Sequence, residues 1–216
     1  MDHQHANKQR FDAVANDWDQ DPQRVYTGQK IGRAMRNALS PEGGETALEL
    51  GAGTGLATLL IAPVVKRLTA IDSSEGMLEV LKNKLARKGL DNVKTVIGVV
   101  PNDLPREKFN LIYSALTLHH VENPKALIKT LAGRLKPGGR IALADLDAED
   151  GSFHGGDSHG VAHHGFKRDT IKAWLTEAGF EGIEITTVHT IQKQDEDGNA
   201  REFPVFLASA TLATSS

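Results

Sequence analysis

The sequence contains no cysteine in its 216 residues. This absence excludes thiolate nucleophiles, cysteine-ligated zinc and disulfide frameworks, and it agrees with a reducing compartment. Long hydrophobic runs are absent too, since no segment approaches the roughly 20 apolar residues of a membrane-spanning helix. Residues 1–20 are polar and lack the apolar core of a signal peptide. We therefore expect a cytoplasmic protein without a membrane span.

An excess of charge of one sign is also lacking. The formal net charge is −3 at pH 7, and the basic residues are scattered among acidic ones. A nucleic-acid-binding surface normally needs a continuous basic track that pairs with phosphates. The composition therefore argues against a nucleic-acid partner, and it carries no signal for the oligomeric state.

A glycine motif follows the first predicted strand. It reads Leu-Glu-Leu-Gly-Ala-Gly-Thr-Gly-Leu over residues 48–56, and the next apolar run ends at Asp72. Because glycine has no Cβ, backbone N–H groups in such a motif can face a ligand directly. A carboxylate at the end of the second strand is placed to accept hydrogen bonds from ribose hydroxyls. Together these features predict a nucleotide-type pocket.

The spacing of this motif distinguishes between cofactors. A dinucleotide motif needs Gly-x-Gly-x-x-Gly, whereas the third glycine here, Gly55, comes one residue early. Glu49, two residues before the first glycine, would repel a pyrophosphate and attract a cation. A glycine triplet alone could also be an ordinary strand-to-helix turn. The triplet together with Glu49 and Asp72 favours a cationic nucleotide-like cofactor.

Four segments resemble, in order, the motifs of the class I S-adenosylmethionine-dependent methyltransferases. Residues 48–56 and 71–78 resemble the first two motifs, residues 108–121 the fourth-strand motif, and residues 135–143 the Lys-Pro-Gly-Gly turn into the fifth strand. The chain is most similar to the type 11 group, which contains the ubiquinone and menaquinone methyltransferases. This resemblance implies S-adenosyl-L-methionine as cofactor and in-line transfer of its methyl group to a small-molecule acceptor.

The resemblance also assigns cofactor contacts to the glycine motif and to the ends of the next three strands. These residues are Glu49, Gly51, Ala52, Gly53, Thr54, Gly55, Asp72, Ser73, Met77, Val99, Val100, Ser114 and Leu116. The chain departs from the family at Asn110, where Asp is frequent, and at Val99-Val100, where an acidic residue often accepts from the adenine amine. Asp103 or a backbone carbonyl could take over adenine recognition.

Apolar runs alternate with amphipathic segments, which is typical of βαβ units and a parallel sheet. Five buried strands are predicted at residues 46–50, 67–71, 93–97, 111–114 and 140–144. Helices are predicted at 77–88, from 123 to about 135, and at 170–178, the last capped by Asp169. Segments 183–191 and 203–211 flank a charged loop and predict an antiparallel hairpin at a sheet edge.

The predicted fold class is α/β, a Rossmann-like sheet of seven mostly parallel strands with helices on both faces. The resemblance implies the strand order 3-2-1-4-5-7-6, with the cofactor over the carboxyl ends of the strands. We expect a single domain, 1–216, with a helical lid at 1–40, a cofactor-binding half at 41–150, and an acceptor-side loop, helix and hairpin at 151–216. Apolar residues in the polar leader, such as Phe11, Trp18 and Tyr26, motivate the lid. Alternatively, they cover the sheet edge.

Histidines are the candidate catalytic groups, because an acceptor that is protonated at working pH needs a base. His119 and His120 follow the fourth strand, where a packing role is the alternative. His163 and His164 belong to a glycine-rich loop, residues 153–166, where the family usually builds its acceptor pocket; the alternative is that they are surface residues. The spacing of His159 and His163 leaves a metal site open, but no zinc signature is present and we predict none.

The predicted function is therefore a small-molecule methyltransferase. A non-enzymatic adenosylmethionine sensor or regulatory subunit, or an enzyme of another reaction class on the same fold, is the alternative. The fourth strand lacks an Asn/Asp-Pro-Pro-Tyr type continuation, which counts against methylation of DNA or protein amino nitrogens by that route. The acceptor, and whether its methylated atom is O, N, S or C, is left open.

Overall fold

The computed structural model describes residues 3–155, 160–194 and 199–214. Its strands are β1 (Thr46–Leu50), β2 (Arg67–Asp72), β3 (Val93–Ile97), β4 (Phe109–Ala115), β5 (Leu135–Leu146), β6 (Phe180–Gln194) and β7 (Ala200–Leu212). Its α-helices are α1 (His3–Val14), α2 (Pro22–Leu39), α3 (Thr58–Ile61), α4 (Glu75–Lys88), α5 (Pro124–Arg134) and α6 (Arg168–Glu177). Short 3-10 turns lie at 18–20, 62–64, 118–120 and 152–154.

The seven strands form one sheet with the order β3-β2-β1-β4-β5-β7-β6, which confirms the predicted topology. The strands from β3 to β5 pair in parallel, and β7 pairs antiparallel with both β5 and β6. The chain order reverses between β1 and β4. The connections after these two strands therefore leave the sheet in different directions and open a crevice at its carboxyl edge.

Helices cover both faces of the sheet and bury two apolar clusters. On one face α2 and α4 pack against residues of β1, β2 and β4. On the other face α5 and α6 pack against the residues of the same strands that point the opposite way. Ser74 starts α4 by accepting from the Met77 N–H, and Gly89 ends it in a left-handed conformation with φ of 64°.

Two local predictions are wrong. β3 is not a buried strand: it is the sheet edge, its residues are half-buried or exposed, and Ile97 is 51% exposed. Asp169 does not cap α6, because the helix begins at Arg168, one residue before Asp169, and has no side-chain cap. Arg168 instead anchors its start through two hydrogen bonds to Asp147, at 2.7 and 2.6 Å.

The proposed lid boundary at residue 40 also needs correction. The second half of α2 belongs to the core, where Ile31, Met35 and Leu39 are at most 1% exposed. A segment that buries these side chains cannot lift from the sheet without exposing them to water. Only the chain before α2 is therefore available for a lid. None of the helices in the described residues has the length and hydropathy needed to cross a membrane.

Candidate active site

A cleft of about 460 Å³ opens at the carboxyl edge of the sheet, beside the ends of β1 and β4. Its volume lies in the range of ordinary small-molecule sites. Most of the predicted cofactor residues line it, and they are Glu49, Gly51, Ala52, Gly53, Thr54, Asp72, Ser73, Met77, Val99, Val100 and Leu116. The glycine motif and the end of β2 therefore meet where the sequence predicts.

Two predicted cofactor residues do not line the cleft. Ser114 is 3% exposed and donates to the backbone carbonyl of Leu50, at 3.1 Å, so it ties β4 to β1. Gly55 has φ of 86°, and a Cβ there would overlap the side chain of Leu81. Both positions serve packing beneath the cleft.

The first two positions of the motif, Gly51 and Gly53, favour glycine for different physical reasons. A Cβ on Gly51 would overlap the side chain of Thr117, so this position permits close approach of two loops. Gly53 has φ of 52°, and nothing lies within 4 Å of where its Cβ would be. Its backbone is therefore open to the cleft.

Asp72 organises the glycine motif. Its Oδ2 accepts from the N–H of Gly53 at 2.7 Å, and its Oδ1 accepts from the N–H of Ser74 at 2.8 Å. Burial raises the pKa of Asp72 despite these two hydrogen bonds. Each carboxylate oxygen has a second lone pair, so Asp72 can hold the motif and accept from a ligand at the same time.

Glu49 is a buried carboxyl group at the bottom of the cleft. It is 3% exposed, and its Oε2 accepts from the hydroxyls of Thr58 at 2.5 Å and Tyr113 at 3.0 Å. Burial raises the pKa of Glu49 to about 8, and the nearby Asp72 charge adds to this effect. The carboxyl group is therefore neutral at pH 7 until a cation compensates its charge.

Replacing Glu49 by Gln should stabilise the ligand-free protein at alkaline pH. The folded state holds a proton on Glu49 up to about pH 8, whereas the unfolded state releases it near the ordinary glutamate pKa of 4.5. Wild-type stability should therefore fall between these pH values, by on the order of a few kcal/mol at most. The variant lacks this loss, and denaturant unfolding at pH 5 and 8.5 measures it.

Glu45→Gln is the matched control, because it should act in the opposite direction. Burial opposes ionisation of Glu45, but the backbone N–H of Glu42 and the charge of Arg140 leave its pKa lowered. Its charged form stabilises the fold above the unfolded pKa, so Glu45→Gln should destabilise the protein at pH 7. A Glu49→Gln variant that loses stability as pH rises, as wild type does, would contradict the raised pKa.

The chain before α2 is bonded directly to the glycine motif and to α4. Asp19 accepts from the hydroxyl of Thr54 at 2.8 Å and forms an ion pair with Lys84. Asp12 accepts from the Ser74 hydroxyl at 2.6 Å and from the Gly76 N–H at 3.0 Å. These two carboxylates place Phe11 and Trp18 in the wall of the cleft, which adds apolar surface to it.

His119 is held by a buried carboxylate. Its Nδ1 lies 2.7 Å from Oδ1 of Asp145, which is 0% exposed, and its backbone N–H donates to the other oxygen at 3.2 Å. Burial opposes ionisation of Asp145, but His119 and the backbone N–H groups outweigh it, so the pKa of Asp145 is lowered. The ionised Asp145 assigns the proton of His119 to Nδ1 and leaves Nε2 as the basic nitrogen.

Two further histidine rings pack beside His119. The ring centres of His120 and His154 lie 4.1 and 5.2 Å from that of His119. Burial lowers the pKa of His120 to about 4 and that of His154 to about 3, and the charges of neighbouring histidines contribute to both shifts. Nδ1 of His120 lies 2.8 Å from the Gly160 carbonyl. Both rings are therefore neutral at pH 7.

His163 and His164 do not line the cleft. His163 lies 3.0 Å from the Val121 carbonyl through Nε2 and packs against Phe166. His164 is half exposed beside Glu149, with 3.6 Å between Nδ1 and Oε1. Of the predicted candidates, the structure therefore brings only His119 and His120 to the site. His154, which the sequence analysis did not single out, takes a place there.

Asp145, near the end of β5, and Asp147, directly after it, both make contacts within the protein. Asp145 contacts His119, and Asp147 forms the ion pair with Arg168 described above. Across residues 3–155, 160–194 and 199–214, no three His, Asp or Glu side chains are placed to hold a metal ion. His159 lies outside the described residues.

The two departures from the family pattern have different locations. Asn110 lies at the start of β4, away from the cleft, where its Oδ1 accepts from the Thr46 N–H at 3.0 Å. Val99 and Val100 line the cleft. Asp103 does not line it, because its carboxylate turns back to accept from the Val99 N–H at 2.8 Å. A backbone carbonyl is therefore the remaining candidate for adenine recognition.

Several residues that line the cleft are not indicated by any motif or pattern in the sequence. The basic residues Arg10, Arg24 and Lys193 come from α1, α2 and β6, and β6 is far along the chain from the two helices. Of these residues, only His154 could have been predicted from the sequence, since it lies in the predicted acceptor-side loop.

Comparison with known proteins agrees with this geometry. Residues 48–143 match the family model described as a methyltransferase domain. A demethylmenaquinone methyltransferase of Clavibacter sepedonicus is 34% identical over 140 residues, which cover 63% of this chain and 56% of that protein. The chain spans about half the length of the curated relatives it matches.

Two solved structures share the fold. N-methyltransferase NodS of Bradyrhizobium japonicum has a TM-score of 0.64 and 20% identity, covering 90% of this chain and 99% of that chain. Phosphoethanolamine N-methyltransferase 2 of Haemonchus contortus, in complex with phosphomonomethylethanolamine and S-adenosylhomocysteine, has a TM-score of 0.67 and 15% identity. It covers 84% of this chain and 52% of that chain. At these identities the likeness concerns the fold.

Proposed function

Because this chain belongs to the class I S-adenosylmethionine-dependent methyltransferases of the type 11 group, we propose that it methylates a small-molecule acceptor. One observation carries the proposal: a single cleft joins an acidic, glycine-lined part to a histidine oriented by a buried carboxylate. The first part suits a cationic nucleoside, and the second suits removal of a proton from an acceptor. A sensor without catalytic activity has no need of the second part.

The residues of the cleft fit S-adenosylmethionine. We assign Asp72 to bind the ribose hydroxyls of the cofactor. Gly53, whose backbone is open to the cleft, supplies backbone groups that face the cofactor. Glu49 supplies a carboxyl group that ionises when a cation binds near it. Val99 and Val100 supply apolar surface for the adenine ring.

The bound cofactor supplies an electrophilic methyl carbon, so the protein needs mainly to align the acceptor and exclude water. Phe11, Trp18 and Phe153 provide the apolar wall for this purpose. Nε2 of His119 takes the proton that the acceptor loses as its oxygen, nitrogen or carbon atom attacks the methyl carbon. Asp145 is a positioning residue, since it fixes the orientation of His119 and stabilises its protonated ring.

We propose that α1 and the following 3-10 turn form the lid, and that residues 151–214 supply the acceptor side. The cofactor should slow proteolysis within residues 3–21, because Asp12 and Asp19 tie this segment to the elements that bind the cofactor. Asp12→Ala should raise the cleavage rate there about 10-fold, since it removes charge-assisted hydrogen bonds. Limited proteolysis with mass spectrometry measures both effects.

Cleavage after Arg33 and Arg36 of α2 is the internal control, since this helix is packed into the core. Its rate should not respond to Asp12→Ala. Equal cleavage of residues 3–21 with and without cofactor would show that the segment is a static cover.

Isothermal titration with S-adenosylmethionine, followed by transfer of a labelled methyl group to a panel of thiols, phenols, quinols and amines, tests the proposed function. We expect binding and a product with at least one acceptor class. Absence of cofactor binding would overturn the assignment. Binding without transfer to any acceptor would favour the sensor alternative.

A further inference from the structure

One wall of the cleft is basic. Lys193 of β6, Arg10 of α1 and Arg24 of α2 all line it. Arg24 stacks over Trp18, with 4.3 Å between the guanidinium carbon and the ring centre, and forms an ion pair with Asp21. Two N-terminal helices and the distant strand β6 therefore bring cations to one part of the site.

Lys193 lies next to the histidine cluster, which consists of His119, His120 and His154. Its Nζ donates to the Phe153 carbonyl at 2.6 Å and lies 3.9 Å from the centre of the Phe153 ring. The ring of Phe153 is in turn 4.9 Å from that of His154. The ammonium group and the histidine rings are therefore separated by no more than about the length of a small aromatic molecule.

The positive charge of Lys193 is only partly balanced by the protein around it, where Glu149 is the acidic group that attracts it. Within the part of the chain that the structure describes, Lys193 forms no ion pair with a carboxylate. Burial lowers the pKa of Lys193, repulsion by Arg24 and Arg10 adds to the effect, and attraction by Glu149 opposes it. Cations therefore outnumber the acidic groups around this ammonium group, and an anion bound beside it would reduce their repulsion.

We propose, building on the methyltransferase function above, that the acceptor carries an anionic group, a carboxylate or a phosphate, which pairs with Lys193. The atom that receives the methyl group then lies at the histidine cluster. Arg10 and Arg24 add to the positive potential that draws the acceptor into the cleft. The acidic residues Glu49 and Asp72 border the glycine motif, so cofactor and acceptor bind to parts of opposite charge.

S-adenosylmethionine has a carboxylate of its own, which is a second source of the same chemistry. The position of Lys193 favours the acceptor, because its contacts are with Phe153, beside His154, and not with the glycine motif. The experiment must therefore measure the affinity of both ligands.

Three probes share a phenol ring and differ in one group: 4-hydroxybenzoate, 4-hydroxyphenyl phosphate and the neutral 4-hydroxybenzamide. Their binding is measured by calorimetry on protein saturated with S-adenosylhomocysteine, for wild type and Lys193→Gln. We expect both anionic probes to bind wild type about 10-fold more tightly than the amide, and Lys193→Gln to remove this preference. Affinity for S-adenosylmethionine should stay within about twofold. Lys129→Gln, on the exposed face of α5, is the matched control and should change neither.

Each other result has a definite meaning. Equal binding of the amide and the anions, no effect of Lys193→Gln, or binding of none of the probes would overturn the anionic acceptor. Weaker binding of S-adenosylmethionine to Lys193→Gln, with probe binding unchanged, would assign the lysine to the cofactor carboxylate and also overturn it. The methyltransferase function would survive these outcomes, since it fails only if wild type does not bind the cofactor or transfers the methyl group to no acceptor.

Discussion

Replacing His119 by Ala should lower turnover by about 10²- to 10⁴-fold, the range that a general base contributes. Asp145→Asn should give a loss of similar direction, because an amide at this position can no longer hold the proton on Nδ1 or stabilise a protonated ring. Cofactor affinity should change little in either variant, since neither side chain is assigned to the cofactor. Single-turnover kinetics with an identified acceptor, together with calorimetry for the cofactor, separates the two effects.

His163→Ala is the matched control for these variants, because His163 lies outside the lining of the cleft. Its turnover should stay near that of wild type. A pH–rate profile adds a readout that a structural role would not move: the acidic limb of the profile, where the base becomes protonated, should shift in Asp145→Asn. Wild-type turnover in a folded His119→Ala protein would exclude His119 as the base.

Replacing Asp72 by Asn should weaken cofactor binding by about 10- to 100-fold, because hydrogen bonds to a charged acceptor are worth about 1.5–3 kcal/mol. The structure adds a second reason. The carboxylate also accepts from the N–H groups of Gly53 and Ser74, and an amide can accept with only one of its two ends. The glycine motif should therefore be less well ordered in the variant.

Asp169→Asn, an exposed change of the same type on α6, is the control and should bind the cofactor as wild type does. Thermal unfolding of both variants without cofactor checks that the fold is retained. If Asp72→Asn is folded and binds with unchanged affinity, the role of Asp72 at the ribose is incorrect.

The local sequence was sufficient for the framework of this protein. The alternation of apolar and amphipathic segments predicts β1, β2, β4 and the helices α4, α5 and α6, because the periodicity of buried positions is visible in consecutive residues. The glycine motif and Asp72 are short-range features too: close backbone approach requires glycine wherever it occurs. The strand order came from the resemblance, and the sheet confirms it.

Features that depend on burial within the sheet were harder to predict. β3 has the same apolar character as β2, yet β3 is the edge and β2 is covered on both sides. Ser114 faces the neighbouring strand, although its motif position suggested a ligand contact. In each case the deciding factor is which neighbour a strand has, and that information is not local.

The acceptor side depended on tertiary structure alone. His119 meets Asp145 across 26 residues of chain, and Asn7 donates to the Gly160 carbonyl across 153 residues. Of the three described histidines in the predicted acceptor loop, only packing distinguishes His154, which enters the cleft, from His163 and His164, which turn away from it. The physical reason is that residue type and spacing determine backbone conformation and burial over a few turns. The convergence of Arg10, Arg24 and Lys193 instead follows from how α1, α2 and β6 pack around the crevice between β1 and β4.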